Sequence, residues 1–126
     1  MSTLNVSNIS DGTTSVGTGY VVNGSAKAWH KYIQSSQTVK NSLNVSSITD
    51  FGTGQDRVSF INDMNDNTYT FTGMNKDGSG LNDDANIGCD FTFSVTASQY
   101  EYFCHHNGAP NDSEGGAMLQ VIGDLA

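Results

Sequence analysis

Glu101, Cys104, His105, His106 and Glu114 are the residues near the carboxyl end whose types could do chemistry. A cysteine beside a histidine suggests a thiolate and its base. Neighbours in an extended chain point to opposite faces, however, so Cys104 and His105 cannot form a working pair. The remaining histidine is His30, and no GxSxG nucleophile elbow occurs. The same alternation separates Cys104, His105 and His106 as soft metal ligands. Asp77, Asp83, Asp84 and Asp90 could gather oxygen ligands for calcium, and Asp63, Asn65 and Asn67 imitate the start of a calcium loop. That loop lacks its glycine and its closing glutamate, and Asx-rich turns account for both stretches without metal. Paired carboxylates for sugar hydrolysis have only two glutamates and scattered aspartates to draw on. The sequence therefore predicts no catalysis, no cofactor and no metal centre. What remains is recognition. Tyr100, Tyr102 and Phe103, beside His105 and His106, are the binding candidates, because amphipathic aromatics favour interfaces and stack on sugar rings. Packing of the inward-facing set into a core is the competing reading. Trp29, with His30 and Tyr32, is the candidate subunit-interface anchor.

These residues must be positioned by strands. Asn44 to Phe60, NVSSITDFGTGQDRVSF, reads as an apolar strand, a turn and a second apolar strand. Asp50, Gly52 and Gly54 suit the positive-φ geometry of that turn. The device occurs twice. Leu4 to Asp11, LNVSNISD, matches Leu43 to Asp50, LNVSSITD, at six of eight positions, and Val21, Val22, Asn23 echo Phe60, Ile61, Asn62 at the same offset of 39. Two partial copies are too few for a solenoid. Further strands are predicted over 2–9, Ala26 to Ile33, Tyr69 to Gly73, Phe91 to Ala97, Tyr100 to His106 and Met118 to Ile122. Residues 13–19 read as a polar link, 20–22 as an apolar segment, and Met74 to Asp90 as a long loop of the kind that is frequently functional. In a hairpin turning near Ser98, Cys89 and Cys104 stand about three residues, roughly 10 Å, out of register. A disulfide does not span that distance, so two free thiols are predicted.

Composition points the same way. The chain has 126 residues, enough for one domain, and 54 of them are Ser, Thr, Asn or Gly. Only 14% are charged, and 12 are aromatic, which separates this polar chain from a disordered one. An ordered all-β protein with a neutral polar surface fits. A net charge of −8 makes nucleic acid an unsuitable partner, since phosphate binding depends on cations. No apolar run is long enough to cross a membrane as a helix. The opening MSTLNVSN has no cationic stretch followed by an apolar one, so no secretory signal is expected.

Three stretches in order, GYVVNGSAKAW (19–29), SLNVSSITDFGTG (42–54) and VSFINDMNDNTYTFTG (58–73), together with the closing MLQVIGDLA, resemble a module of phage tail-fibre and related virion proteins. His30-Lys31-Tyr32 and Tyr100 to His106 depart from that pattern and are candidate points of specificity. The resemblance implies a non-enzymatic virion component, all-β and trimeric, in contact with other virion proteins.

The reading that results is an antiparallel β-sandwich of jelly-roll type over residues 25–126, preceded by an N-terminal strand or arm over 1–24 that reaches a neighbouring subunit. Two functions follow. A tail-fibre or receptor-binding module, contacting host surface glycan or protein, presents Tyr100 to His106 outward. A capsid decoration or cement protein buries its surface against the phage head.

Overall fold

The computed structural model describes residues 3–76, 85–88, 94–106 and 108–126. Alternation of inward and outward side chains builds nearly all of it. In chain order the elements are β1 (Asn8–Ser10), β2 (Ser15–Gly17), α1 (Thr18–Gly24), β3 (Ala26–Ile33), β4 (Thr38–Leu43), β5 (Val45–Gly52) and β6 (Gln55–Phe60). They continue with β7 (Thr70–Lys76), β8 (Ala85–Gly88), β9 (Val95–Thr96), β10 (Gln99–His106), β11 (Ala109–Pro110) and β12 (Gly116–Ile122). One antiparallel sheet runs β4-β3-β12-β7. The other runs β11-β10-β6-β5, with β8 and β9 on the opposite edge of β10. The two pack as a sandwich, so the predicted all-β class holds.

The core lies where the inward faces meet. Ala28 on β3, Val58 and Phe60 on β6, Tyr100, Tyr102 and Cys104 on β10, and Ala117, Leu119 and Val121 on β12 are buried. Phe71 stacks on Tyr100 with ring centroids 4.9 Å apart, and Phe60 meets Tyr69 edge-on at 5.7 Å. The Tyr69 hydroxyl sits 2.9 Å from the carbonyl oxygens of both Thr96 and Gln99. This lets a tyrosine close an apolar core without stranding its polar end. On the opposite side of β10, Glu101 is covered by Arg57, whose Nε donates to it at 2.8 Å and whose guanidinium lies 4.2 Å over the Phe51 ring.

The central hairpin is β5 and β6, paired from Val45 opposite Phe60 to Gly52 opposite Gln55. Val45 and Ile48, three residues apart, would point to opposite faces of a regular strand. A register shift between Val45 and Ser47 brings both against the core. Gly54, at φ +72°, begins the return. Its N–H donates to Asp112 Oδ1 at 2.5 Å and its carbonyl accepts the Cys104 N–H at 2.7 Å.

Several sequence expectations change. The predicted strand over 2–9 is a short ribbon at Asn8–Ser10, paired only with β2, and Tyr20 to Val22, read as an apolar segment, lie in α1. Thr38–Leu43, for which no strand is predicted, is a strand. A uniform hairpin register around Ser98 does not hold. Gln99 faces Thr96 and Tyr100 faces Val95, but Phe103 faces Gly88 and Cys104 faces Ile87. Cys104 is a buried free thiol, and Cys89 lies outside the described residues. Phe91 and Phe93 of the predicted strand, and Asp77, Asp83, Asp84 and Asp90 of the candidate calcium loop, also lie outside them. Among the described residues no helix is long and apolar enough to cross a membrane.

Candidate functional site

The predicted recognition residues separate by face. On β10, Tyr100 and Tyr102 point into the core and are fully buried, which corrects the expectation that they could meet a ligand at the surface. Aromatic residues occupy both faces of this strand. The inward set is fixed by the Phe71 and His30 rings that Tyr100 and Tyr102 meet. Phe103 and His105 lie on the other face, half-buried, with ring centroids 5.0 Å apart. His106 faces Ala109 and Ala85 in the sheet register. On β3, His30 and Tyr32 are each 2% exposed and belong to the core, so their assignment as interface anchors is corrected too. Trp29 stands on the outward face.

That outward face is a candidate interaction surface. Strand register places Leu43, Trp29, Gln120 and Thr72 in one row across β4, β3, β12 and β7, with Asn41, Lys31, Met118 and Met74 in the next. Met74 is 64% exposed and Leu43 is exposed as well. Between Trp29, Met74 and Met118 runs a shallow groove of about 520 Å³. Within the sheet β12 runs close beside Gly73, which pairs with Leu119. A Cβ there would meet the Met118 carbonyl oxygen and stand 2.7 Å from Leu119 Cγ.

Behind this sheet sits a polar cluster. Gln34 donates from Nε2 to Asp56 Oδ2 at 2.5 Å and accepts the Ser113 N–H at 2.7 Å, while Ser113 Oγ accepts the Gly116 N–H at 3.0 Å. One amide thereby ties β3, β6 and the approach to β12 together. Burial pushes the Asp56 carboxyl up to about 6, against the Gln34 hydrogen bond that favours its charge. Burial takes His30 down to about 4 and the Cys104 thiol up to about 12. The Tyr102 hydroxyl lies beside Asp56 without completing a hydrogen bond of good geometry. These groups have perturbed acidities but no opening to solvent (Asp56 is 2% exposed), so they organise the core. Among the described residues, no three His, Cys, Asp or Glu side chains converge as metal ligands do.

The second candidate surface is the N-terminal segment. Asp11 Oδ1 accepts the N–H groups of Thr13 and Thr14 at 2.9 and 2.8 Å, closing the β1–β2 turn and holding the Asp11 pKa below its usual value. The Thr18 N–H and hydroxyl both donate to the Ser7 carbonyl, tying α1 to that ribbon. No residue from 3 to 25 is buried. Leu4 is 83% exposed and Tyr20 81%, and Val6, Ile9, Val16, Val21 and Val22 are exposed with them. Sequence reasoning found the segment but not its bareness, which depends on which copy of the repeat finds a core. No protein family, curated protein or solved structure matches this chain.

Proposed function

We propose that this chain is a non-enzymatic surface component of a phage virion, held on the particle by its N-terminal segment. The phage assignment rests on the sequence resemblance described above. The observation that carries the attachment reading is the arm, which exposes seven large apolar side chains and buries none beside a domain that has its own core. Surfaces of this composition are characteristic of protein–protein contacts. Among virion roles, decoration or cementing of the head is favoured over host-receptor binding. Tyr100 and Tyr102, the aromatic pair a receptor site would use, are spent in the core, while the arm and the Trp29 face offer contacts to neighbouring subunits. Receptor binding is the second reading, supported by the half-buried Phe103–His105 pair.

Labelled-antibody electron microscopy of intact particles tests the assignment. Signal over the head is expected, and signal confined to fibre tips would transfer the reading to host recognition. Deleting residues 2–18 should abolish attachment while leaving the far-UV spectrum of a folded β domain. A truncated chain that still decorates particles would remove the arm from the argument.

A further inference from the structure

The two copies of the repeated sequence have different fates. In the second copy Val45 and Ile48 pack against the core, and Asn44 accepts the Asn62 N–H at 2.7 Å and donates to the Asn62 carbonyl at 3.0 Å. In the first copy the equivalent Val6 and Ile9 are exposed, although Asn5 and Asn23 stand at the equivalent positions. The partner element differs as well. Residues 18–24 correspond to 57–63, of which 57–60 belong to β6, yet they form a seven-residue helix. TGYVVNG is a poor helical sequence. It has two glycines, adjacent valines, no side-chain cap and no acidic residue in its first turn. A helix this short is marginal even with good formers, and a two-stranded ribbon is equally marginal alone.

The acceptor is visible on the same molecule. β5 is an eight-residue edge strand with no lysine, arginine or proline, and its two register shifts, at Val45/Ser47 and Asp50/Gly52, lie at its ends and leave residues 47–50 regular, whereas the β4 edge carries Lys40 and a register shift in its middle. Natural edge strands are normally protected by such devices, and an unprotected one is a template for another strand. We propose that residues 4–11 of one copy add as an antiparallel strand to the β5 edge of a second copy, with Ser7 opposite Ser47 and Val6 opposite Ile48. Charge selects this direction. Asp11 is the only charged side chain of the arm, and antiparallel pairing places it at the far end from Asp50. Parallel, in-register pairing sets the two carboxylates side by side, which is destabilising. The pairing brings the exposed Val6 and Ile9 beside Ile48 and Val45, and it releases residues 18–24 from the ribbon to extend as the second strand. It rests on the reading of the arm as an attachment element and names the surface that receives it.

The test uses the full chain. Ser7→Cys and Ser47→Cys are both exposed changes, and directly opposed strand residues lie about 4.5–5.5 Å apart, within disulfide range. Mixed and mildly oxidised, the two single variants should give a cross-linked dimer that neither gives alone. Sedimentation equilibrium should show concentration-dependent self-association, weakened about tenfold or more by Ser47→Lys with an unchanged thermal midpoint. A chain that stays monomeric at every accessible concentration would overturn the inference. So would association indifferent to Ser47→Lys, or cross-linking confined to Ser7→Cys with itself. A monomer that still decorates particles through its arm would overturn self-pairing alone and leave the virion-surface reading standing.

Discussion

Asp56 and His30 face the same core with opposite electrostatic consequences. Burial raises the Asp56 pKa from 3.8 to about 6, and lowers that of His30 from 6.5 to about 4. In the window between about 4 and 6 the native chain holds the Asp56 proton more tightly than the unfolded chain does. Stability from that group therefore falls as the pH rises. For His30 the unfolded chain is the better proton acceptor, so its contribution rises with pH through about 4 to 6.5. The two slopes oppose each other, and wild-type stability should be nearly flat across the overlap. Asp56→Asn keeps an oxygen to accept from Gln34 and removes the buried charge. At pH 8 the variant should be more stable by on the order of 2–3 kcal/mol, the linkage value of a shift of this size. It should also gain stability between pH 4 and 6.5, with the His30 slope no longer masked. Urea midpoints across pH check both. Equal stability at pH 8 would mean that the carboxylate is solvated in the native state.

At the scale of elements, β7 and β12 depend on an absence of side chain. With Gly73 inward and the Met118 carbonyl against it, Gly73→Ala forces the strands apart or bends β7. Overpacking of this kind costs about 1–3 kcal/mol. The thermal midpoint should drop accordingly, with amide exchange accelerating first in β7 and β12, and an unchanged midpoint would show that this crossing is compliant. The strands that were legible in the sequence are those whose alternation meets a partner of matching length. β3, β6, β10 and β12 follow that rule, and the Asn44–Phe60 hairpin carries its own turn residues. Facing was harder to read in β10, because Tyr100, Tyr102 and Phe103 put aromatics on both sides of the strand. Only contact with Phe71 and His30 decides which pair goes in. The arm was the least legible, for a physical reason. LNVSNISD and LNVSSITD carry the same local preference, and burial against a core distinguishes them. Of the candidate site, Trp29 was found from its residue type. Met74, Met118 and Leu43 were not, since they meet it only across the sheet register.

The whole molecule is electrically divided. All four lysines lie on the β4-β3-β12-β7 sheet, Lys27 and Lys31 on β3, Lys40 on β4 and Lys76 on β7. The single arginine is on the other sheet, bound to Glu101, in a chain of net charge −8. Apolar side chains and a cation therefore coincide on the outward face that carries Trp29, where Lys31 stands in the adjacent row with Met118 and Met74. A counter-surface for it must be apolar at its centre and acidic at its rim, as other acidic subunits can be. If this face contacts the particle, Lys31→Glu should weaken binding about fivefold at low ionic strength, the scale of one exposed charge interaction, and the difference should shrink as salt screens it. Trp29→Ala should weaken binding roughly tenfold or more at any salt concentration, because a buried aromatic anchor acts through desolvated contact area. Co-sedimentation with particles depleted of the protein measures both. Two variants that bind like the wild type at low salt would remove the sheet face from the interface and leave the arm as its sole contact.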